Sequence, residues 1–416
     1  MNQNTYIKKL EDARIINEKG YGKGLPIWYQ EGIILVNNIF NLFKECLKAE
    51  INDFYILDFD NIIEKSVYDN VYGDINSYDS IYTFKENNRD YLIKSDAMPL
   101  NISYLLEATE KKPALTLTSV ARNETGSTKA LFRDRNIWPV IQLNNVIKDQ
   151  EINSFLEKLT KVYQNFFEKL CLPTLFVDAG ELHNYATSQR YFLTALDNLD
   201  FTKSGMIFQL SKNFKENFNT NYEIIDSGFS EKVIALMAIL HSDQYGLRIP
   251  STVAPKQITI ASVIEDNELL MAQVQKKLDN QSLRYNINKD NNNIKKIKKQ
   301  WEKEGTPLLV VLEEHEIVLY MRSSRKKTVL TLETLCNLSS FLVAHDKALF
   351  SKANKYLELI EIGESPNDQL TFICNECKDN NYNFFGYIYP SKEGLCNICN
   401  KNKGVKSVLS TRGRFY

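Results

Sequence analysis

Apolar residues return every three or four positions in several long segments of the chain. Residues 32–50 and 149–171 follow this spacing, as does the shorter stretch 6–18, and each is predicted as an amphipathic helix. Residues 229–241 are apolar on every side, which predicts a buried helix. Short apolar runs between these helices predict strands at residues 25–29, 175–178, 205–210 and 223–226.

The pattern changes after residue 255, where predicted strands and helices alternate. Such alternation is typical of a small α/β domain. The predicted strands are residues 257–263, 283–287, 308–312 and 317–321, and the predicted helices are residues 268–279, 294–303 and 332–356.

A charged stretch lies between two apolar runs and is predicted as a hairpin. Arg122 and Glu124 are two positions apart on its first run, and Arg133 and Arg135 are two apart on its second. Side chains two apart on a strand share a face. Guanidinium groups bind phosphate through paired hydrogen bonds, and a carboxylate can accept from a nucleobase amino group. The stretch therefore predicts a site for a nucleoside triphosphate, although its spacing equally fits a solvated charged face.

Length and composition are those of an ordinary globular protein. The 416 residues predict two or three domains, and the net charge of −1 gives no basic field of the kind that marks a nucleic-acid binder. The first residues are polar, so we expect no secretory signal, and no apolar run approaches the ~20 residues that span a bilayer. We therefore expect a cytoplasmic protein that does not enter a membrane.

Four of the seven cysteines form two CxxC pairs near the carboxyl end. Cys374, Cys377, Cys396 and Cys399 have the spacing of a zinc ribbon, and four thiolates complete a tetrahedral Zn²⁺ site with no open position. We therefore predict structural zinc. The alternative, a redox dithiol, would need only one of the two pairs.

The charged stretch resembles motif 2 of the class II aminoacyl-tRNA synthetases, in the version of the prolyl-tRNA synthetases. Residues 228–260 resemble motif 3 of the same family and the segment that follows it, and residues 25–50 resemble motif 1, which forms the dimer interface. The zinc ribbon resembles the zinc domain of archaeal and eukaryotic-type members. These resemblances follow the family's order over nearly the whole chain.

The resemblance implies an α+β fold. We expect a class II antiparallel sheet with flanking helices in residues 1–254 and a mixed α/β domain like the family's anticodon-binding domain in residues 255–360. A small zinc domain is expected in residues 361–416.

The resemblance also implies roles for the charged residues. Arg122 would bind the α-phosphate of ATP, Glu124 the adenine and Arg133 the far end of the triphosphate. Lys232 stands where the family has a catalytic arginine, which keeps a point charge and loses the guanidinium fork. ATP, Mg²⁺ and a homodimer are expected on the same ground.

The amino-acid pocket departs from the family pattern at several positions. The family's loop glutamate for the substrate amine is missing, and Asp96 is the only substitute nearby. Since a lysine also replaces a family histidine at position 212, we expect a pocket with less negative charge. Such a pocket would prefer an acid other than proline, with an extra acidic group or without a free amine. Lysines 94 and 212 could instead face solvent. The candidate substrate-binding residues are Lys94, Asp96, Gln142, Asn144, Lys212 and Ser227.

Two functions follow from these observations. The first is an ATP-dependent ligase that activates an amino acid or related carboxylate as an acyl-adenylate and transfers it to tRNA, a carrier protein or a small amine. The second is a paralogue that no longer activates a substrate and binds tRNA or a partner protein. Residues 313–316, Glu-Glu-His-Glu, stand where the family reads the anticodon with an arginine, so charging of proline tRNA is not expected.

Overall fold

The structure is a computed structural model. It describes residues 3–73, 81–123, 128–180, 185–264, 268–288, 293–381 and 383–412. Among the described residues, no helix combines the length and the hydrophobicity that a membrane span requires.

The elements up to residue 241 form the first part of the protein. They are α1 (Gln3–Asp12), β1 (Ile16–Gly22), β2 (Leu25–Trp28), α2 (Gln30–Glu50), β3 (Tyr55–Leu57), β4 (Ile62–Glu64), α3 (Lys65–Tyr72), β5 (Thr83–Glu86), β6 (Arg89–Ile93), α4 (Met98–Glu107), β7 (Ala114–Ala121), β8 (Asn136–Ile147), a 3-10 turn (Asp149–Glu151), α5 (Ile152–Lys169), β9 (Thr174–Asp178), β10 (Ala186–Ala195), β11 (Phe201–Leu210), α6 (Lys212–Asn217), β12 (Glu223–Ser230) and α7 (Lys232–His241).

The remaining elements follow in two groups. The α/β part contains β13 (Ile258–Ser262), α8 (Glu268–Asp279), β14 (Tyr285–Asn288), α9 (Ile294–Glu304), β15 (Leu308–Leu312), β16 (Ile317–Met321), β17 (Lys327–Leu330), a 3-10 turn (Thr334–Asn337) and α10 (Leu338–Glu361). The carboxyl-terminal part contains β18 (Asp368–Ile373), α11 (Asn375–Asp379), β19 (Phe384–Ile388), β20 (Glu393–Leu395) and β21 (Lys403–Ser410).

A large sheet is the centre of the structure. Its strands lie in the order β18-β21-β19-β9-β10-β11-β12-β8-β7-β3, and neighbours are antiparallel except for the parallel pair β3 and β7. β12 lies in the interior of the sheet and pairs with β8 over eight positions. The predicted α+β class with a large antiparallel sheet is confirmed.

Helices α2 and α5 cover one face of this sheet. The apolar stripe of α5 includes Phe155, Leu159 and Phe166, which recur at helical spacing and are buried. The Phe43 ring on α2 lies 5.2 Å from the Phe166 ring and 5.1 Å from the Phe229 ring on β12. This aromatic cluster fixes the end of β12 from which α7 begins.

The α/β part has its own sheet in the order β14-β13-β15-β16-β17. β13 is parallel to β14 and β15, and the remaining pairs are antiparallel. The sheet is joined to the first part by Arg322, which is fully buried and donates to both carboxylate oxygens of Asp243, at 2.9 Å and 2.7 Å. This mixed sheet agrees with the predicted alternation of strands and helices.

The carboxyl-terminal strands extend the large sheet instead of forming a separate one. β19 pairs with β9, so the segment with the cysteines continues the same sheet as β10 to β12. The domain boundaries at residues 254/255 and 360/361 remain a prediction.

Several elements differ from the predicted pattern. The first helix ends at Asp12 rather than at residue 18, because Arg14 adopts a left-handed backbone (φ 56°) and the chain turns into β1. Strands β10 and β17 were not predicted at all. Most positions of β10 are buried, so its sequence lacks the alternation by which half-buried strands are recognised.

Candidate active site

A cavity of about 380 Å³ lies on the large sheet, within the size range of small-molecule sites. It is bounded by the ends of β7 and β8, by β11 and β12, and by the first residue of α7. The residues that line it are Ser95, Asp96, Val120, Arg122, Phe132, Ile137, Val140, Gln142, Tyr191, Lys203, Ser204, Gly205, Met206, Asp226, Gly228, Phe229, Ser230, Glu231 and Lys232.

Arg122 brings a guanidinium group to this cavity. Its backbone N–H donates to the carbonyl oxygen of Arg135 at 2.9 Å, which continues the pairing of β7 and β8 beyond the last residue of β7. Its side-chain Nε is buried and has no hydrogen-bond partner among the described residues. Because a buried cationic donor without a partner is costly, this atom fits an anionic ligand.

Lys232 begins α7 and also lines the cavity. Desolvation, followed by repulsion from Lys203 and Lys129, lowers the pKa of Lys232 to about 8. The ring of Phe132 lies 5.5 Å from the Lys232 ammonium and 4.3 Å from that of Lys129. Cationic groups and an aromatic ring therefore form one end of the cavity.

Glu231 places a carboxyl group beside these cations. It is almost fully buried, and its Oε2 has no hydrogen-bond partner among the described residues. Desolvation and repulsion from Asp134 raise the pKa of Glu231 to about 8. A bound cation would favour the ionised carboxylate and supply the partner that Oε2 lacks.

Two further carboxylates lie toward the other end. The side-chain Nε2 of Gln142 donates to Oδ1 of Asp96 at 2.9 Å and to Oδ1 of Asp226 at 2.8 Å. Desolvation, followed by repulsion from Asp96, raises the pKa of Asp226 to about 7. The cavity thus has a cationic end and an acidic end.

Neighbouring groups hold the acidic end in place. Tyr72 donates its hydroxyl to Oδ2 of Asp96 at 2.6 Å, and the side chain of Asn144 donates to Oδ1 of Asp226 at 2.9 Å. Ser227 is fully buried and donates to the carbonyl oxygen of Leu143 at 3.0 Å. Asn144 and Ser227 therefore support the site from behind and are not among the lining residues.

The two lysines expected in the substrate pocket lie elsewhere. Lys94 is fully buried, donates to the carbonyl oxygen of Phe59 at 2.7 Å, and has a pKa lowered by desolvation. Lys212 is exposed and pairs with Glu216 at 3.3 Å. Neither lines the cavity. The expectation that Lys212 reduces the negative charge of the pocket is therefore wrong.

Asp226 is one of the cavity residues that the sequence analysis missed. It is one of the polar residues in the buried strand β12, where it follows two isoleucines and precedes Ser227. A buried acidic residue in the interior of a strand was the available signal, because such groups are retained only with partners or at functional sites.

The motif 2 residues are only partly brought together. β7 ends before Arg122, and β8 begins at Asn136, after Arg133 and Arg135, so the predicted strands are too long. The backbone N–H of Arg133 donates to the carbonyl oxygen of Lys129 at 2.7 Å, and Arg133 is not among the lining residues. Arg135 donates from Nη1 to the carbonyl oxygen of Lys23 at 2.7 Å and thereby anchors the β1–β2 loop. Glu124 lies outside the described residues.

The four predicted zinc ligands do come together. The Sγ atoms of Cys374, Cys377, Cys396 and Cys399 all lie within 4.8 Å of one another, and those of Cys374 and Cys399 are 3.9 Å apart. Zinc–sulfur bonds of ~2.3 Å in a tetrahedron require sulfur atoms about 3.8 Å apart. The cluster therefore fits a tetrahedral Zn²⁺ ion.

Comparison with solved structures defines the fold. The chain superimposes on the structure titled Giardia lamblia prolyl-tRNA synthetase in complex with prolyl-adenylate with a TM-score of 0.86, at 15% identity, over 98% of both chains. It also superimposes on prolyl-tRNA synthetase from Cryptosporidium parvum, complexed with halofuginone and AMPPNP, with a TM-score of 0.84, at 13% identity, over 97% of this chain and 96% of that one. The protein has the fold of a class II aminoacyl-tRNA synthetase.

Sequence comparison indicates which type of class II synthetase the chain resembles. The chain is 22% identical to the proline–tRNA ligase of Picrophilus torridus over 399 residues, which cover 86% of this chain and 84% of that one. It is 24% identical to the proline–tRNA ligase of Methanococcus vannielii over 281 residues, which cover 62% of this chain and 61% of that one. No protein-family model matches. The resemblance to the prolyl-type synthetases of class II is thereby confirmed.

Proposed function

We propose that the protein is an ATP-dependent ligase that activates an amino acid as an acyl-adenylate. The observation that carries this proposal is the cavity itself, which contains the unpartnered Nε of Arg122 and has the ammonium of Lys232 at one end and two carboxylates at the other. A triphosphate and an amino acid are the two ligands whose charges complement these ends. The homology to proline–tRNA ligases supports the same reaction class.

In the proposed reaction, a carboxylate oxygen of the substrate attacks the α-phosphorus of ATP. A new bond forms between this oxygen and the α-phosphorus. The bond between the α-phosphorus and the oxygen that bridges it to the β-phosphate breaks, and pyrophosphate leaves with that oxygen. Arg122 and Lys232 stabilise the negative charge that grows on the phosphoryl oxygens. Binding the two reactants in one cavity supplies proximity, and no side chain of the enzyme becomes covalently bound.

Glu231 is the residue that would hold Mg²⁺ on the phosphates. Its buried Oε2 has no partner among the described residues and lies beside Lys232. The ion would neutralise phosphate charge. The ring of Phe132 offers a flat surface next to these groups for the adenine.

The acidic end leads us to revise the expected substrate. Asp96 and Asp226 lie on either side of the Gln142 amide and line the cavity, so their oxygens suit a positively charged N–H donor. We therefore propose an acid with a protonated amine, in place of one with an extra acidic group or without an amine.

The acceptor of the acyl group is proposed to be tRNA, because the named relatives are proline–tRNA ligases. Carrier proteins and small amines are the alternatives. We also propose a homodimer formed through residues 25–50, the segment that resembles motif 1.

ATP–pyrophosphate exchange with a panel of amino acids tests the proposal. At least one amino acid should support exchange, and labelled acyl groups should then appear on total tRNA. Tight binding of tRNA without exchange would select the paralogue that only binds RNA. Exchange with acyl transfer to a protein or an amine would keep the ligase and change the acceptor. No exchange and no ATP binding would overturn the proposal.

A further inference from the structure

Lys203 is a cationic residue of the cavity to which the sequence gave no role. Its ammonium lies 4.0 Å from the centre of the Tyr191 ring and 5.6 Å from the centre of the Phe385 ring. The two rings are themselves 5.6 Å apart. Tyr191 and Lys203 belong to neighbouring strands of the first part of the chain, whereas Phe385 comes from the carboxyl-terminal part.

The position of Phe385 is fixed by close backbone packing. Its strand, β19, pairs with β9 at Tyr387 and Ile388. A Cβ on the next residue, Gly386, would lie 2.6 Å from the carbonyl oxygen of Asp178, so only glycine permits this approach. The Phe385 side chain is buried against the core of the large sheet. The carboxyl-terminal part thus delivers one rigid aromatic ring to the edge of the cavity.

Lys203 lies toward the cationic end of the cavity. In the pairing of β11 with β12, Phe208 is opposite Asp226 and Met206 is opposite Gly228. Going from 208 to 203 along β11 therefore leads away from Asp226 and toward the start of α7. Electrostatic repulsion from Lys203 on the Lys232 ammonium agrees with this direction.

Several cationic groups lie near this end. Lys203 and Lys129 both repel the ammonium of Lys232, which Glu231 attracts, and Arg122 lines the same cavity. A cleft lined by charges of one sign raises the local concentration of ligands of the opposite sign. A chain of phosphate groups has the required charge and length.

We propose that Lys203 binds the phosphates of the nucleotide and that Tyr191 and Phe385 hold its ammonium in position. Because Phe385 belongs to the carboxyl-terminal part of the chain, that part strengthens nucleotide binding. The assignment to nucleotide phosphates rests on the proposed ligase function. Phe385 does not touch the ligand in this proposal and acts by positioning Lys203. An ammonium over two rings has fewer accessible orientations than one on a free side chain, because the ring faces attract the charge.

Calorimetric titration of the full-length protein tests the proposal with two probes, ATP and inorganic pyrophosphate. Lys203→Met should raise the dissociation constant of both probes about tenfold, the loss expected for one charged hydrogen bond to a phosphate. Phe385→Leu should raise both about threefold through loss of the ring contact, and Phe385→Tyr should restore them. Binding of the free amino acid that serves as substrate should stay unchanged in all three variants.

Phe384→Leu is the matched control, since it makes the same change one residue away on β19. The Phe384 ring packs against that of Tyr387, at 5.1 Å, and does not contact Lys203 among the described contacts. This variant should bind both probes like the wild type. In the double variant Lys203→Met/Phe385→Leu, affinity should equal that of Lys203→Met alone, because Phe385 acts only through Lys203.

The outcomes separate this inference from the proposed ligase. Pyrophosphate binding that depends on Lys203 and Phe385, in a protein that exchanges no pyrophosphate into ATP, would support the inference and contradict the ligase. Exchange together with unchanged binding of both probes by Lys203→Met would overturn the inference and leave the ligase in place. Equal losses in Phe384→Leu and Phe385→Leu would overturn the positioning role.

Discussion

Asp96 and Asp226 accept hydrogen bonds from one amide group, the Nε2 of Gln142, at 2.9 Å and 2.8 Å. Desolvation, followed by repulsion from Asp96, raises the pKa of Asp226. This pair makes the acidic end of the cavity sensitive to pH near neutrality.

The first prediction concerns pH and amino-acid binding. The pKa of Asp226 is raised to about 7, so the carboxylate is mostly protonated at pH 6 and mostly ionised at pH 7.5. Ionisation strengthens its attraction for a substrate ammonium. The dissociation constant of the free amino-acid substrate should therefore fall about fivefold from pH 6 to pH 7.5, as titration calorimetry can measure.

Asp226→Asn provides the control for this prediction. The variant keeps the size of the side chain and removes its ionisation, so amino-acid binding should be weak at both pH values. A wild-type protein that binds the amino acid equally well at pH 6 and pH 7.5 would exclude the role of Asp226 as an ammonium acceptor.

The second prediction concerns Lys232 and nucleotide binding. Its pKa is lowered to about 8, so the ammonium is mostly present at pH 7 and mostly lost at pH 9. Because the phosphates need the charged form, ATP affinity should fall about tenfold between these pH values. Lys232→Arg should remove most of this pH dependence, since a guanidinium stays protonated. A wild-type affinity that is the same at both pH values would contradict the prediction.

The third prediction concerns metal. Purified protein should contain one zinc ion per chain, and Cys374→Ser should lose it and melt at a lower temperature, because structural zinc contributes directly to folding. Elemental analysis and thermal unfolding measure both effects. Cys336→Ser is the control, since Cys336 is an exposed thiol outside the cluster. Full zinc content in Cys374→Ser would contradict the four-thiolate site.

The fourth prediction concerns the junction between the first part and the α/β part. Arg322 is fully buried, and Asp243, which it contacts through both oxygens, also accepts from Arg248 at 2.6 Å. The arginines hold the pKa of Asp243 well below its usual range. Arg322→Met should destabilise the protein by about 3 kcal/mol in denaturant unfolding, as expected when a buried ion pair loses one partner.

A surface ion pair provides the control for the Arg322→Met prediction. Lys65 and Asp69 form an exposed pair at i and i+4, so Lys65→Met should change the free energy of unfolding by no more than about 0.5 kcal/mol. Equal effects of Arg322→Met and Lys65→Met would show that the buried junction adds no stability.

The sequence predicted the fold well where periodicity and the family resemblance agreed. α2 and α5 have long apolar stripes, and α8 was predicted with both ends as observed. The cluster of four cysteines could be predicted from their spacing alone, because each CxxC pair brings its two thiols together within one short turn. These features depend on local pattern, which the sequence records directly.

The site was harder to predict, because it depends on the direction of side chains at strand ends. The sequence pattern predicted that Arg122 and Arg133 lie within strands. In the structure, β7 ends before Arg122 and β8 begins after Arg133, and of these two arginines only Arg122 lines the cavity. Asp226 was missed since its partner Gln142 belongs to another strand. Register between strands distant in sequence brings these groups together, and no local pattern encodes it.

The most direct test of the ligase is the rate of ATP–pyrophosphate exchange in wild type and in Arg122→Ala, with the amino acid that gives the highest rate. Lys212→Ala is the matched control, since Lys212 is exposed and outside the cavity. Exchange should fall by about a hundredfold or more in Arg122→Ala, the loss typical of one charge-stabilising contact, and stay at the wild-type rate in Lys212→Ala. Equal rates in wild type and Arg122→Ala would contradict the account.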